Sequence, residues 1–124
     1  MREVTGATRV LMVLADPVAH VRGTAFLNAH FEAEGINAAI VPIHVRSVDL
    51  APMLRAVRTL HNVAGVGITV PHKITVIDHL DGLAPRAAAI GAVNTVHRAS
   101  DGTLTGDNVD GVGFVNGLKA AGLA

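Results

Sequence analysis

The apolar run Val63 to Val70 closes on Gly67-Ile68-Thr69-Val70-Pro71-His72-Lys73, and this junction constrains the fold more than any other stretch. Its β-branched, apolar composition predicts a buried strand. Pro71 blocks further ladder pairing, and its missing N–H suits the first turn of a helix. Thr69 and Lys73 are then expected at the carboxyl end of a strand, where open α/β sheets receive their ligands. A second polar cluster, Gly106-Asp107-Asn108-Val109-Asp110-Gly111, offers a carboxylate. The expectation is that Lys73 and Asp110 meet over one small-molecule cleft.

The rest of the chain alternates in the same way. Thr8 to Ala15 predicts a first buried strand, ended by Asp16-Pro17. A helix is expected from Asn28 onward, with Leu27 and Phe31 one turn apart, Thr24 as cap and Gly35 as left-handed stop. Asn37 to Val45 predicts a second strand. From Asp49 as N-cap, a helix carries Leu50, Met53, Leu54, Val57 and Leu60 on one face, with Pro52 tolerated in its first turn. Beyond Lys73 a short helix is expected with Ile74, Ile77 and Leu80 inward, until Asp81-Gly82 turns the chain. Pro85 to Ile90 predicts a second short helix ended by Gly91. Ala92 to His97 and Thr103 to Thr105 read as a hairpin around Ser100-Asp101-Gly102. Gly111 to Gly122 predicts a last helix with Phe114, Val115 and Leu118 inward. Alternating strands and helices argue for one α/β domain over residues 1–124.

Composition narrows the function. Half the 124 residues are hydrophobic, yet Phe26, Phe31 and Phe114 are the only aromatics, so the core is built from Ala, Val, Ile and Leu. That suits helices packed on a parallel sheet. Ten basic and ten acidic residues cancel, leaving no electrostatic footprint for nucleic acid or an anionic membrane. The lack of Cys excludes a disulfide scaffold and fits a reducing cytoplasm, the expected location. Charged residues and His interrupt every apolar run before spanning length, and the amino terminus lacks a signal-peptide core.

Several tempting motifs fail on context. A dinucleotide fingerprint at Gly111-x-Gly113-x-x-x-Gly117 would need a strand before it, a βαβ unit around it and an acidic residue about 20 positions on, and seven residues follow Gly117 in this sequence. None of the seven histidines has the HExxH spacing or a carboxylate set beside it, so no metal is expected, and surface and loop positions account for them. No Gly-x-Ser-x-Gly elbow is present. A lysine in a first helical turn is ordinarily solvated, but the macrodipole disfavours a cation there, which makes an acidic partner or ligand for Lys73 more telling. Asp110 would serve equally as the N-cap of the last helix. Asn94 in a strand interior is unfavourable unless its amide is engaged.

Four motifs in order carry a resemblance: Asp16-Pro17-Val18-Ala19-His20, Thr69-Val70-Pro71-His72-Lys73, Gly91-Ala92-Val93-Asn94-Thr95 and Gly106 to Gly111. Together they resemble the amino-terminal substrate-binding domain of shikimate and quinate dehydrogenases, from Val10 to Leu118. The resemblance implies a three-layer α/β domain of the amino-acid-dehydrogenase-like amino-terminal type. Its mixed sheet is mostly parallel, with one antiparallel strand, and is flanked by helices. It implies an oxidoreductase that reversibly reduces a ring ketone of a small polyhydroxy acid, 3-dehydroshikimate or a relative, in aromatic amino acid biosynthesis. The lysine matching Lys73 and the aspartate matching Asp110 bind substrate hydroxyls and handle the proton as hydride moves. Such a pair is what alcohol oxidation requires. Thr69 and Asn94 are implied on the substrate. NADP (or NAD) is implied on a nucleotide-binding domain, in cis or in trans, that follows this one in the family and is not expected within this chain. The chain alone is therefore expected to be inactive. A homodimer is left open.

The chain also departs from the family. Val21 and Gly23 stand where two serines hold the substrate carboxylate; Gly67 replaces an Asn and Val109 a Thr. The proton-handling end is kept, while the carboxylate end loses two donors worth about 1.5–3 kcal/mol each. Thr24, or Arg22 through its fork, is the expected stand-in, with solvent exposure the alternative reading of Arg22. Two readings follow: the substrate half of a reductase, or a non-catalytic small-molecule-binding module that kept the cleft. A purely structural domain would leave Thr69, Lys73, Asn94 and Asp110 coincidental.

Overall fold

All six residues of Val63–Ile68 are buried, as expected of a strand covered on both faces. In the computed structural model, which describes residues 3–109, this strand lies near the middle of a mixed sheet. The strands are β1 (Arg9–Ala15), β2 (Ala38–His44), β3 (Val63–Ile68), β4 (Gly82–Leu83), β5 (Thr95–Arg98) and β6 (Leu104–Asp107), in the spatial order β2-β1-β3-β5-β6-β4. β1 runs parallel to β2 and β3, and β4 parallel to β6, while β5 runs antiparallel to both its neighbours. The expected mostly parallel sheet with one reversed strand is what forms. β3 and β5 approach so closely that a Cβ on Gly65 would lie 2.5 Å from the Val96 carbonyl oxygen.

Three helices, α1 (Gly23–Ala33), α2 (Leu50–Val57) and α3 (Pro85–Ile90), cover the sheet. Two separate apolar clusters show the layering. Phe31 of α1 packs with Leu11, Ile36, Ala38, Ile40 and Ala64. Leu50, Leu54 and Val57 of α2 and Ala87 of α3 pack with Met12, Leu14, Val66, Ile68 and Val96. Gly35, at φ 68°, ends α1 as expected, with the Ile36 N–H returning to the Phe31 carbonyl at 2.8 Å. Arg98, 5% exposed, donates to the carbonyls of Val57 and Arg58 at 2.9 Å, closing the otherwise open carboxyl end of α2. No helix among the described residues is long and apolar enough to cross a membrane.

Several expectations need correction. α1 begins at Gly23 rather than at Asn28, so Thr24 sits within its first turn and caps nothing. The Asn28 amide instead bonds both backbone groups of Ile40, tying α1 to β2. Asp49 makes no cap bond and accepts from Arg46 Nε at 3.1 Å. Leu60 lies beyond α2 and is exposed. Pro71 opens no helix: the Val70–Pro71 peptide is cis, and the chain forms a 3₁₀ turn only at Thr75–His79. That tighter winding moves the inward position to Val76 and leaves Ile74 exposed. The macrodipole argument for Lys73 falls with it. His72 is fully buried rather than on the surface. Gly82, expected to turn the chain with Asp81, instead opens the edge strand β4. Asp110, the last helix and its Phe114, Val115 and Leu118 lie outside the described residues.

Candidate functional site

The carboxyl ends of β1 and β3 open into a cleft of about 340 Å³, floored by Val13, Gly67 and Ile68. Its volume falls within the roughly 300–1,000 Å³ usual for small-molecule sites. Thr69 and Lys73 line it from the segment after β3, Thr95 from the start of β5, and Val109 from beyond β6. Asn94 also lines it, from the bend just before β5 rather than from a strand interior. Across from them, His20, Val21, Gly23, Thr24 and Leu27 form the wall made by α1 and the loop before it. Topology explains the gathering. Because β5 runs antiparallel to β3, its beginning meets the end of β3, where the Ile68 N–H donates to the Asn94 carbonyl at 2.9 Å.

Lys73 is fixed by its backbone. Its carbonyl accepts from the Val93 N–H at 2.8 Å, and the His72 N–H donates to the Thr69 carbonyl at 2.9 Å. The buried His72 ring donates from Nε2 to the Val45 carbonyl at 2.6 Å, anchoring the loop to the end of β2. The Lys73 side chain is exposed to the cleft, and no described carboxylate pairs with its ammonium. A solvent-facing ammonium held beside a hydroxyl and an amide can bind an oxygenated ligand and exchange a proton with it.

Asn94 is the most committed of these side chains. Its Oδ1 accepts from the Val109 N–H at 2.8 Å and from the Thr95 hydroxyl at 3.1 Å, while Nδ2 donates to the Val109 carbonyl. One amide hydrogen is left for a ligand. The residues before Val109 are pinned as well. Asn108 Nδ2 donates to the Ala92 carbonyl at 3.0 Å, and Asp107 receives both Nε and Nη2 of Arg86 at 2.7 and 2.8 Å. The Arg86 guanidinium, together with the Asn108 backbone N–H, holds the Asp107 carboxyl below the usual carboxylate range.

The structure thus brings together Thr69, Lys73, Asn94, Val21 and Gly23, with Gly67 and Val109 between them. It does not describe Asp110. Of the two stand-ins expected for the missing serines, Thr24 lines the cleft, while Arg22 is exposed and is not among its lining residues. Sequence reasoning missed Thr95 as a cleft residue, although its place beside Asn94 could have shown it.

Residues 13–96 match the family model described as the shikimate dehydrogenase substrate binding domain. A shikimate dehydrogenase (NADP(+)) from Geobacter metallireducens is 45% identical over 116 residues, covering 94% of this chain and 40% of that protein. Among solved structures, shikimate 5-dehydrogenase from Listeria monocytogenes, in complex with shikimate and NAD, superposes with a TM-score of 0.82 at 31% identity, over 100% of this chain and 42% of that one. The ligand-free 5-ketofructose reductase of Gluconobacter superposes with a TM-score of 0.80 at 31% identity, over 94% of this chain and 41% of that one. The chain spans about 40% of the length of the curated relatives it matches. With the fold, the order of the motifs and the matched residues in agreement, the chain belongs to the shikimate dehydrogenase substrate-binding domain family.

Proposed function

We propose that this chain binds a small polyhydroxy ring compound in the cleft and forms the substrate half of an NAD(P)-dependent oxidoreductase. The reaction is the reversible reduction of a ring ketone, of 3-dehydroshikimate or a relative. The observation that carries the reading is the convergence of Thr69, Lys73, Asn94 and Thr95, from separate segments, on one rim above the carboxyl ends of β1 and β3. Relatives whose names give shikimate and NADP(+), or 5-ketofructose, as their substrates share this fold and supply the substrate class.

In this reading Thr69 and the free amide hydrogen of Asn94 orient ligand oxygens. Lys73 and Asp110 form the acid–base pair: an ammonium gives its proton to the oxygen of a reduced ketone, and the carboxylate helps return it in the oxidative direction. A relative is named for NADP(+), and another is solved in complex with NAD. In this reading NADP (or NAD) is held by a nucleotide-binding domain in cis or in trans, and it would supply the hydride. The pathway would be aromatic amino acid biosynthesis in the cytoplasm, and a homodimer is compatible with it.

The second reading, a non-catalytic small-molecule-binding module, is favoured by Val21 and Gly23 on the cleft wall, which offer no side-chain donors. Steady-state assay of the complete enzyme with 3-dehydroshikimate and NADPH separates the two. Turnover that drops when Lys73 is replaced by Ala supports the reductase. Ligand binding with no turnover in the complete protein supports the module.

A further inference from the structure

The two walls of the cleft differ in chemistry. Thr69, Lys73, Asn94 and Thr95 put hydroxyl, ammonium and amide groups on one side. The opposite wall presents Val21, the bare backbone of Gly23, Leu27 and one hydroxyl, that of Thr24. Thr24 is 8% exposed, yet it lines the cleft and makes no side-chain hydrogen bond within the described chain. A hydroxyl that reaches the cleft without a protein partner is available to a ligand. The titratable group of that wall, His20, stands in an exposed loop at the mouth.

We infer that Thr24 determines specificity on the α1 wall, and that it reads an uncharged oxygen, a hydroxyl, carbonyl or ester, rather than a carboxylate. The inference rests on the reading of this cleft as the substrate site, with the reacting oxygen toward Lys73. The far end of the ring then meets Val21, Gly23, Thr24 and Leu27. One neutral hydroxyl satisfies one neutral acceptor. A carboxylate needs several donors once it leaves water, and the described side chains of this wall offer it one hydroxyl and, in the exposed loop, the His20 ring. The ligand class is a polyhydroxylated ring or keto compound that is polar at both ends and charged at neither.

The test uses two probes that share a ring and differ in charge at one end: shikimate and its methyl ester. Isothermal titration of the 124-residue chain should give tighter binding of the ester, by about ten-fold or more. Thr24→Val, which keeps the shape and removes the hydroxyl, should weaken the ester by about 3- to 10-fold. Thr24→Ser should restore the ester, and matched thermal melts should show that each variant is folded. Lys73→Ala should weaken both probes alike. Tighter binding of the acid, or an ester affinity untouched by Thr24→Val, overturns the inference while leaving the site in place. The first of these would assign the carboxylate to the free amide groups at the start of α1. Binding unaffected by Lys73→Ala, or no binding of either probe, overturns the site itself and the inference with it.

Discussion

Asn94 grips the backbone of Val109 from both sides: the Val109 N–H donates to Oδ1 at 2.8 Å, and Nδ2 donates to the Val109 carbonyl. The start of β5 is thereby tied to the residue that directly precedes Asp110 in sequence. Asn94→Ala leaves both backbone groups without this partner, at about 1–3 kcal/mol for each one that stays buried. Urea unfolding should show a lowered midpoint. Asn94→Asp should recover part of the loss at most, because a carboxylate can accept from the N–H but repels the carbonyl. An unchanged midpoint in both variants would mean that the clamp contributes nothing to the fold.

Lys73 carries the chemistry in this account. In the complete enzyme, Lys73→Ala should lower turnover by about 10²–10⁴-fold, the range for a lost acid–base group. The fold should survive, because the structure fixes this loop through the His72 ring and the Lys73 backbone rather than through the ammonium. The check is kcat measured beside a thermal melt. Loss of activity together with loss of folding would make Lys73 a structural residue.

The donors missing from the α1 wall can be supplied. A Cβ on Gly23 would meet nothing within 4 Å, so a serine fits there, and Val21→Ser reduces volume. The double change Val21→Ser with Gly23→Ser should tighten shikimate by at least about ten-fold, since each charge-assisted bond is worth about 1.5–3 kcal/mol. The methyl ester should gain far less. Equal gains for the two ligands in isothermal titration would show that the serines act on something other than charge.

Much of this was legible in the chain. The buried run Val63–Ile68, the stop at Gly35 and the hairpin of β5 with β6 follow from β-branched clustering, a left-handed glycine and the turn at Asp101-Gly102, while the one reversed strand in the sheet was implied by the family resemblance. Thr69, Lys73 and Asn94 were found from motif order. The misses share a cause: each depended on geometry that sequence spacing does not carry. Thr24 and Asn28 were misassigned because the start of α1 is set by its packing over β1 and β2 rather than by a capping side chain. His72 looked like surface because nothing local announces that its ring reaches the Val45 carbonyl, 27 residues away in sequence. Ile74 was placed inward by α-helical periodicity, which a 3₁₀ turn does not obey.

Acid should weaken the motif that precedes Asp110. The Asp107 carboxyl is held below its ordinary range chiefly by Arg86. A carboxylate with a lowered folded pKa contributes stability that is fully present above the ordinary carboxylate range. That contribution is lost as pH falls through the lowered value. Because Arg86 is largely exposed, it should amount to no more than about 1 kcal/mol. Arg86→Met should lower stability at neutral pH and flatten its fall below the ordinary carboxylate range. Parallel acid limbs for the two proteins, followed by circular dichroism, would remove the ion pair from the account.

The central claim is that the cleft framed by Thr69, Lys73, Asn94 and the α1 wall is where the ligand sits. Amide chemical-shift mapping of the ¹⁵N-labelled chain, titrated with shikimate and then with its methyl ester, tests it most directly. The account predicts that saturating shifts concentrate on Val21 to Thr24, Gly67 to Lys73 and Asn94 to Thr95, with larger shifts at lower concentration for the ester. Shifts gathered instead at the opposite end of the sheet, around Arg9, His61 and His97, would contradict it.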